Sequence, residues 1–175
     1  MSSPQTPLPA KLVIGIFTAH SKIIEKLVAE FASRFGQIDL ISRWMNFNFT
    51  AYYEPEMGSP LIRRMLAFKP LIAQADLSAI KLATNQIERQ YSQQGRRRVN
   101  IDPGYLLRER FVLGSGKNFS HRIYIGEGIY ADLTLIYRKG CFEKLPWTYP
   151  DYSDAGMLRF LEQVRNKYIS DVKWS

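Results

Sequence analysis

RIYIGEGIYADLTLIY, Arg122–Tyr137, sets two β-rich runs on either side of Gly-Glu-Gly. Two such runs around a short glycine-containing loop are the arrangement of a hairpin. In the second run Ile129, Ala131, Leu133, Leu135 and Tyr137 oppose Tyr130, Asp132, Thr134 and Ile136, the period of two that a strand imposes. Strands joined this tightly run antiparallel, so the stretch orients the reading of the whole second half. Just upstream, YLLRERFVL, Tyr105–Leu113, alternates as well, without marking which of its faces is the inner one.

Moving outward, KLVIGIFT, Lys11–Thr18, reads as a central strand. A helix follows, with Ile23, Ile24, Leu27, Val28, Phe31, Ala32 and Phe35 at helical spacing, Ser21 as its cap and Gly36 as its end. WMNFNFTAYY, Trp44–Tyr53, alternates in period two and predicts a strand with a polar, aromatic side. Ser59 and Pro60 then read as the cap and first position of a second helix, carried by Leu61, Ile62, Met65 and Leu66 and stopped or kinked at Pro70. DLSAIKLATNQIERQYS predicts a short extended piece and a helix from Asn85, whose spacing to Glu88 is that of a capping box. Asp102, Pro103 and Gly104 form a turn signal. Met157, Phe160, Leu161, Val164 and Tyr168 mark a last helix. The fold class is α+β: one domain over residues 11–175, a largely antiparallel sheet with helices mainly on one face, and residues 1–10 as a flexible tail.

At 175 residues, with 46% apolar residues and 10 Tyr, 10 Phe and 3 Trp, the chain has the material for one dense core. The formal charge of +8 favours encounters with phosphate-bearing or acidic partners. A single cysteine, Cys141, forms neither an internal disulfide nor a thiolate cluster, which suits a reducing compartment and predicts a cytoplasmic protein. The first residues lack a signal-peptide pattern, and no apolar run reaches bilayer length, so no membrane partner is expected.

YYEPEMG, IKLATNQIE, RRVNIDPGYL, KNFSHRIYI, GIYADLTLIY and WTYPDY, taken in that order, resemble the domain-of-unknown-function family 4416 of bacterial and archaeal proteins. The resemblance runs from about Lys11 to Tyr168 and implies no established activity, although members are sometimes labelled GTP-binding. A P-loop requires glycine, four residues, then Gly-Lys-Ser or Gly-Lys-Thr between a strand and a helix. Here LGSGKN places Asn118 after Gly116-Lys117, and no glycine stands at the upstream position. NKYI, Asn166–Ile169, lacks the aspartate of a guanine-reading loop. A P-loop GTPase is disfavoured.

The chemistry-bearing residues fall into several groups. Glu54 and Glu56 precede a helix and can offer oxygens to a hydrated magnesium ion, or serve only the helix dipole. Asp102, Asp132 and His121 are candidates for proton transfer, Asp102 having the turn as its plainer role. Arg98, Asn100, Tyr105, Arg108, Arg110, Lys117, Arg122, Tyr124 and Tyr130 are candidate ligand-binding residues: guanidinium and ammonium groups for phosphate, tyrosines for planar rings. Arg96 and Arg97 read as a solvated linker. Lys81, Asn85 and Glu88 form an amine, amide and carboxylate trio only if their whole segment is helical; a helix starting at Asn85 leaves a cap instead. With two distant histidines, zinc is not expected. The leading expectation is a binding protein or enzyme for a small phosphorylated ligand, nucleotides included. The alternative is an RNA-binding module that stacks bases on tyrosines, and an aromatic scaffold role for WTYPDY is a third reading. The first requires a closed pocket, the second an open basic groove.

Overall fold

The computed structural model describes residues 1–172. In chain order the elements are β1 (Ala10–Thr18), α1 (Ser21–Phe35), β2 (Ile38–Ile41), β3 (Met45–Asn46), α2 (Glu54–Met57), β4 (Ile62–Ile72), α3 (Leu77–Gln90), β5 (Asn100–Leu106), β6 (Arg110–Ser115), β7 (Arg122–Gly126), β8 (Ile129–Arg138), β9 (Cys141–Lys144) and α4 (Ala155–Val172). Short 3-10 turns occupy Gln74–Asp76 and Pro150–Ser153. Among the described residues the strands form one sheet in the order β2-β4-β1-β5-β6-β8-β7, with β3 against β4 and β9 against β8. Every pairing is antiparallel, which makes the chain a single α+β domain.

β1 is buried along its whole length because it lies inside the sheet and is covered on both faces. Leu12, Ile14 and Ile16 meet α1 and α3 through Ile23, Leu27, Phe31, Ile80 and Ile87. Val13 and Met65 face the other way, toward Met157, Phe160, Leu161 and Val164 of α4. Two of the three long helices therefore share a face, and α4 covers much of the opposite one. Its apolar stripe can be buried nowhere else.

The chain start expected as a tail is partly anchored. Ala10 already belongs to β1, the carbonyl of Pro9 accepts from the Tyr168 hydroxyl (2.8 Å), and that of Leu8 accepts from Gln74 Nε2 (3.0 Å).

Four local readings are corrected. Only Met45–Asn46 of the expected Trp44–Tyr53 strand pairs; the rest is a loop that lays Phe47 on Phe17, with ring centroids 4.3 Å apart. The segment after Pro60 is not a helix but β4, the longest strand, since a strand between β1 and β2 needs apolar residues on both faces and so loses its period-two signature. Pro70 is tolerated there because the ladder is irregular between the Lys11↔Leu71 and Val13↔Ala67 pairs. α3 is helical from Leu77, ahead of the expected start at Asn85; buried Lys81 and Thr84 interrupt the apolar pattern on its inner face. Finally, Asp102-Pro103-Gly104 makes no turn, because β5 runs straight through it.

Gly104 instead marks a fork. β5 and β6 pair only at Gly104↔Leu113, Tyr105↔Val112 and Leu106↔Phe111. Beyond that point Asn100–Pro103 continue along β1, while Gly114 and Ser115 continue along β8. A Cβ on Gly104 would lie 2.5 Å from the Val112 carbonyl oxygen, so the close approach at the apex requires glycine. Pro103 lies just past the last β5–β6 pair, where its missing N–H leaves no β6 bond unmade. α3 lies against the gap. Its Glu88 accepts a hydrogen bond from the Ile101 N–H (2.5 Å), and its Lys81 donates one to the Ile101 carbonyl (2.8 Å). Two side chains thus satisfy the backbone that β6 has abandoned.

Candidate functional site

A cavity of about 640 Å³ opens where the two strands part. Asn100 and Asp102 line it from β5, and Ser115, Gly116 and Lys117 from the end of β6 and the loop after it. α3 contributes Lys81, Asn85 and Glu88. Whole-segment helix formation therefore restores the trio that a cap at Asn85 would have dissolved, with two members also holding the β5 backbone. Phe47–Tyr53 form an aromatic side, on which Tyr52 is exposed, and the Pro150–Ser153 turn brings Asp151 and Tyr152.

The floor is Arg63, on β4 opposite Phe17 and 3% exposed. Its guanidinium is boxed by the rings of Phe47 (4.8 Å), Tyr152 (5.0 Å) and Phe17 (5.3 Å), a favourable arrangement for a desolvated cation. Nη1 donates to Asp151, and Nη2 lies 3.9 Å from Asp102. Among the described residues two buried polar groups, Arg63 Nε and the Tyr152 hydroxyl, have no hydrogen-bond partner. Such groups weigh about 1–3 kcal/mol against the fold when left unbonded.

Arg97 and Arg122 are engaged. Arg97 grips Glu56 with Nε (2.9 and 3.0 Å) and Nη2 (2.7 Å), and also donates to Asn100 Oδ1 (3.2 Å). The bond from Arg97 holds the Glu56 carboxyl below its ordinary range. Arg122 donates to Asp132 (2.8 Å), to the Tyr149 hydroxyl (3.0 Å) and to the Lys117 carbonyl (3.0 Å). Asp132 also meets His121 Nε2 at 3.3 Å, and the His121 ring is stacked on Trp147. Lys117 differs: its side chain has the Tyr52 ring 6.0 Å away and, among the described residues, no carboxylate within ion-pair distance.

Burial raises Glu88 above its ordinary value despite the pull of Lys81, and pushes the Tyr53 hydroxyl, with Asp102 nearby, up to about 12. Burial also raises Tyr152 well above the usual phenol range. Both tyrosines stay protonated and remain hydrogen-bond donors at neutral pH.

A family model covers residues 8–168. The chain belongs to the family described as Domain of unknown function (DUF4416). No curated protein and no solved structure matches it. In this family member, the matched span includes every residue that lines the cavity.

Of the residues singled out in the sequence, the fold gathers Asn100, Asp102, Lys117, Arg122 and Asp132 around the cavity. His121 touches it only through Asp132. Arg98 lies instead on a smaller hollow with His20, Lys22 and Lys26, its carbonyl bonded to Thr18. Tyr105 is buried in the α4-side core. Arg108 is in the β5–β6 turn, its carbonyl accepting from Arg165, and Arg110 pairs with Glu109 and Gln74. Tyr124 and Tyr130 pack on each other at the β7–β8 hairpin, with centroids 5.4 Å apart, outside the cavity lining. Glu54 is exposed on α2, and Glu56 is committed to Arg97. Among the described residues no group of three or more His, Cys, Asp or Glu side chains gathers as metal ligands, and no helix is long and apolar enough to cross a membrane.

Arg63, Arg97, Asp151 and Tyr152 were missed. Arg63 sits in an apolar run misread as helix, and Arg97 in a run of three arginines that looks like a solvated loop. The signal available for Arg63 was an arginine inside an otherwise buriable strand-length segment.

Proposed function

We propose that this protein binds a small phosphorylated, ring-bearing ligand in the cavity at the β5–β6 fork. One observation carries the reading: a cavity of ligand size in which, among the described residues, the exposed Lys117 ammonium has no carboxylate partner and lies 6.0 Å from the exposed Tyr52 ring, with exposed Tyr149 on the same lining. The rings suit a planar group and the ammonium suits a phosphate. Unpartnered Arg63 Nε and Tyr152 hydroxyl at the floor support a site whose polar groups are completed by something other than protein. If the ligand is turned over, we assign the proton transfer to Asp102, a 28% exposed carboxylate at the cavity with Arg63 and Lys81 each 3.9 Å away.

RNA binding is less well supported. A nucleic-acid backbone needs a track of free cations, whereas Arg97 and Arg122 are occupied by Glu56 and Asp132. The test is the melting temperature of the full chain against nucleotides and sugar phosphates, and against single-stranded RNA at low and high salt. A shift of several degrees with a phosphorylated small molecule is expected. Salt-sensitive retention of RNA without any small-ligand shift would reverse the order of the two readings.

A further inference from the structure

We infer that the ligand is a nucleoside monophosphate, held by its single phosphate at Lys117 and by a sugar hydroxyl at Asp102; this rests on the phosphorylated-ligand reading above. The argument begins with charge. Five cationic side chains line the cavity: Arg63, Lys81, Arg97, Lys117 and Arg122. Four of them are directed at protein oxygens, namely Asp151 for Arg63, the Ile101 carbonyl for Lys81, Glu56 for Arg97 and Asp132 for Arg122. Among the described residues Lys117 is the lining cation without such a partner. One free ammonium offers a contact to one phosphate group and offsets part of its charge of about −1.5 to −2 at neutral pH. Each further phosphoryl group would bring charge into a space that Asp102 and Asp132 also line, where the other four lining cations already donate to protein oxygens.

The carboxylates sort in the same way. Asp132 accepts from Thr134 on one oxygen and from Arg122 and His121 on the other, and its side chain is 6% exposed. Asp151 is held by Arg63 and is 9% exposed. Asp102 accepts from Asn100 Nδ2 on Oδ2 (2.9 Å), while among the described residues Oδ1 makes no hydrogen bond and has Lys81 Nζ at 3.9 Å. A carboxylate oxygen left free inside a cavity can accept from a donor, and a ribose hydroxyl is such a donor. The fork sets the two contacts on different arms, Asp102 on β5 and Lys117 beyond β6. Tyr52 and Tyr149, 69% and 52% exposed, offer ring faces at the mouth, and Tyr149 is oriented by its bond from Arg122. A compound with a ring, a hydroxylated sugar and one phosphate meets all three.

Calorimetric titration of the full chain tests this with the four ribonucleosides, their 5′-monophosphates and 5′-triphosphates, the 2′-deoxy monophosphates and ribose 5-phosphate, each with and without magnesium. The expected result is a monophosphate that binds at least tenfold tighter than its own nucleoside, its triphosphate and ribose 5-phosphate. Lys117→Ala then removes about tenfold of the affinity for that monophosphate and leaves the nucleoside unchanged. Asp102→Ala weakens nucleoside and monophosphate alike; should that variant not fold, a tenfold loss with the 2′-deoxy compound reports the same contact. A triphosphate or ribose 5-phosphate that binds as tightly as the monophosphate overturns the inference but leaves a phosphorylated ligand in place. No binding by any phosphorylated compound overturns both.

Discussion

Lys11 and Arg63 are two buried cations near opposite ends of the β1–β4 ribbon, and they are satisfied in opposite ways. Lys11, 0% exposed, donates to Asp39 of β2 (2.5 Å) and Asp171 of α4 (2.7 Å), with Lys167 close by on Asp39 at 3.4 Å. It ties an edge strand and a helix to the middle of the sheet, and it lines no described cavity. Arg63 is nearly as buried, yet among the described residues its Nε has no partner, its walls are aromatic rings, and it floors the cavity. Burial alone therefore does not separate a charge bound wholly within the fold from one that lines a cavity. Completeness of hydrogen bonding does, because an incompletely bonded buried cation is tolerated only where something else gains from it.

The comparison breaks most readily at Arg63. Arg63→Met removes the cation that neutralises buried Asp151 and sits beside Asp102, and should lower unfolding free energy by about 3–5 kcal/mol in urea titrations. Adding Asp151→Asn should recover part of that, since the uncompensated carboxylate is the main penalty. The decisive readout is ligand affinity in the double variant. If a phosphorylated ligand still binds as in the wild type, Arg63 is another Lys11 and the distinction between them fails.

Lys11→Met is the matched control. Loss of stability should be smaller, about 2–3 kcal/mol, because Lys167 remains on both Asp39 and Asp171. Affinity at the cavity should stay within about twofold, as expected for a distant, independent site.

What was legible in the sequence follows the same division. β1, α1, the β7–β8 hairpin and α4 were readable because each is built by a repeating local pattern, apolar throughout, helical, alternating or helical again. β4 was not, since coverage on both faces erases alternation and Leu61, Ile62, Met65 and Leu66 happen to match helical spacing. Pro103-Gly104 reads locally as a turn, and only the partner strand explains it: the glycine is required by the Val112 carbonyl, a tertiary contact. Among the residues that line the cavity, Asp102, Lys117, Arg122 and Asp132 were singled out because their types announce polar chemistry near strands. Arg63 and Asp151, 88 positions apart, become a site only once the chain has folded back on itself.

Gly104→Ala probes the fork itself and should have an intermediate effect. A methyl group 2.5 Å from a backbone oxygen, and 3.0 Å from a Leu113 methyl, cannot be absorbed by a side-chain rotation alone. β6 must shift, at about 1–3 kcal/mol, the range for overpacking. Because β5 and β6 carry Asp102 and Lys117 on separate arms, the shift should also weaken any ligand that bridges them more than one that touches a single arm. Comparing monophosphate with nucleoside affinity in this variant measures that difference.

The smallest effect belongs to Glu56, outside the buried floor. Arg97 lowers the Glu56 pKa in the folded chain from its ordinary 4.5, so the folded state favours the ionised form. Its contribution is therefore present above about pH 4.5 and disappears as pH falls through the lowered folded value. Glu56→Gln should lower stability at neutral pH by no more than about 1 kcal/mol, the usual size for a pair in which both side chains are one-third exposed. The gap between variant and wild type should close on acidification, visible as converging urea midpoints at neutral and acidic pH. Arg97 would then be freed to act as a second unpaired cation beside Asn100. If the charge argument at the cavity holds, Glu56→Gln narrows the discrimination between monophosphate and triphosphate, because the site would now hold two free cations where the wild type holds one.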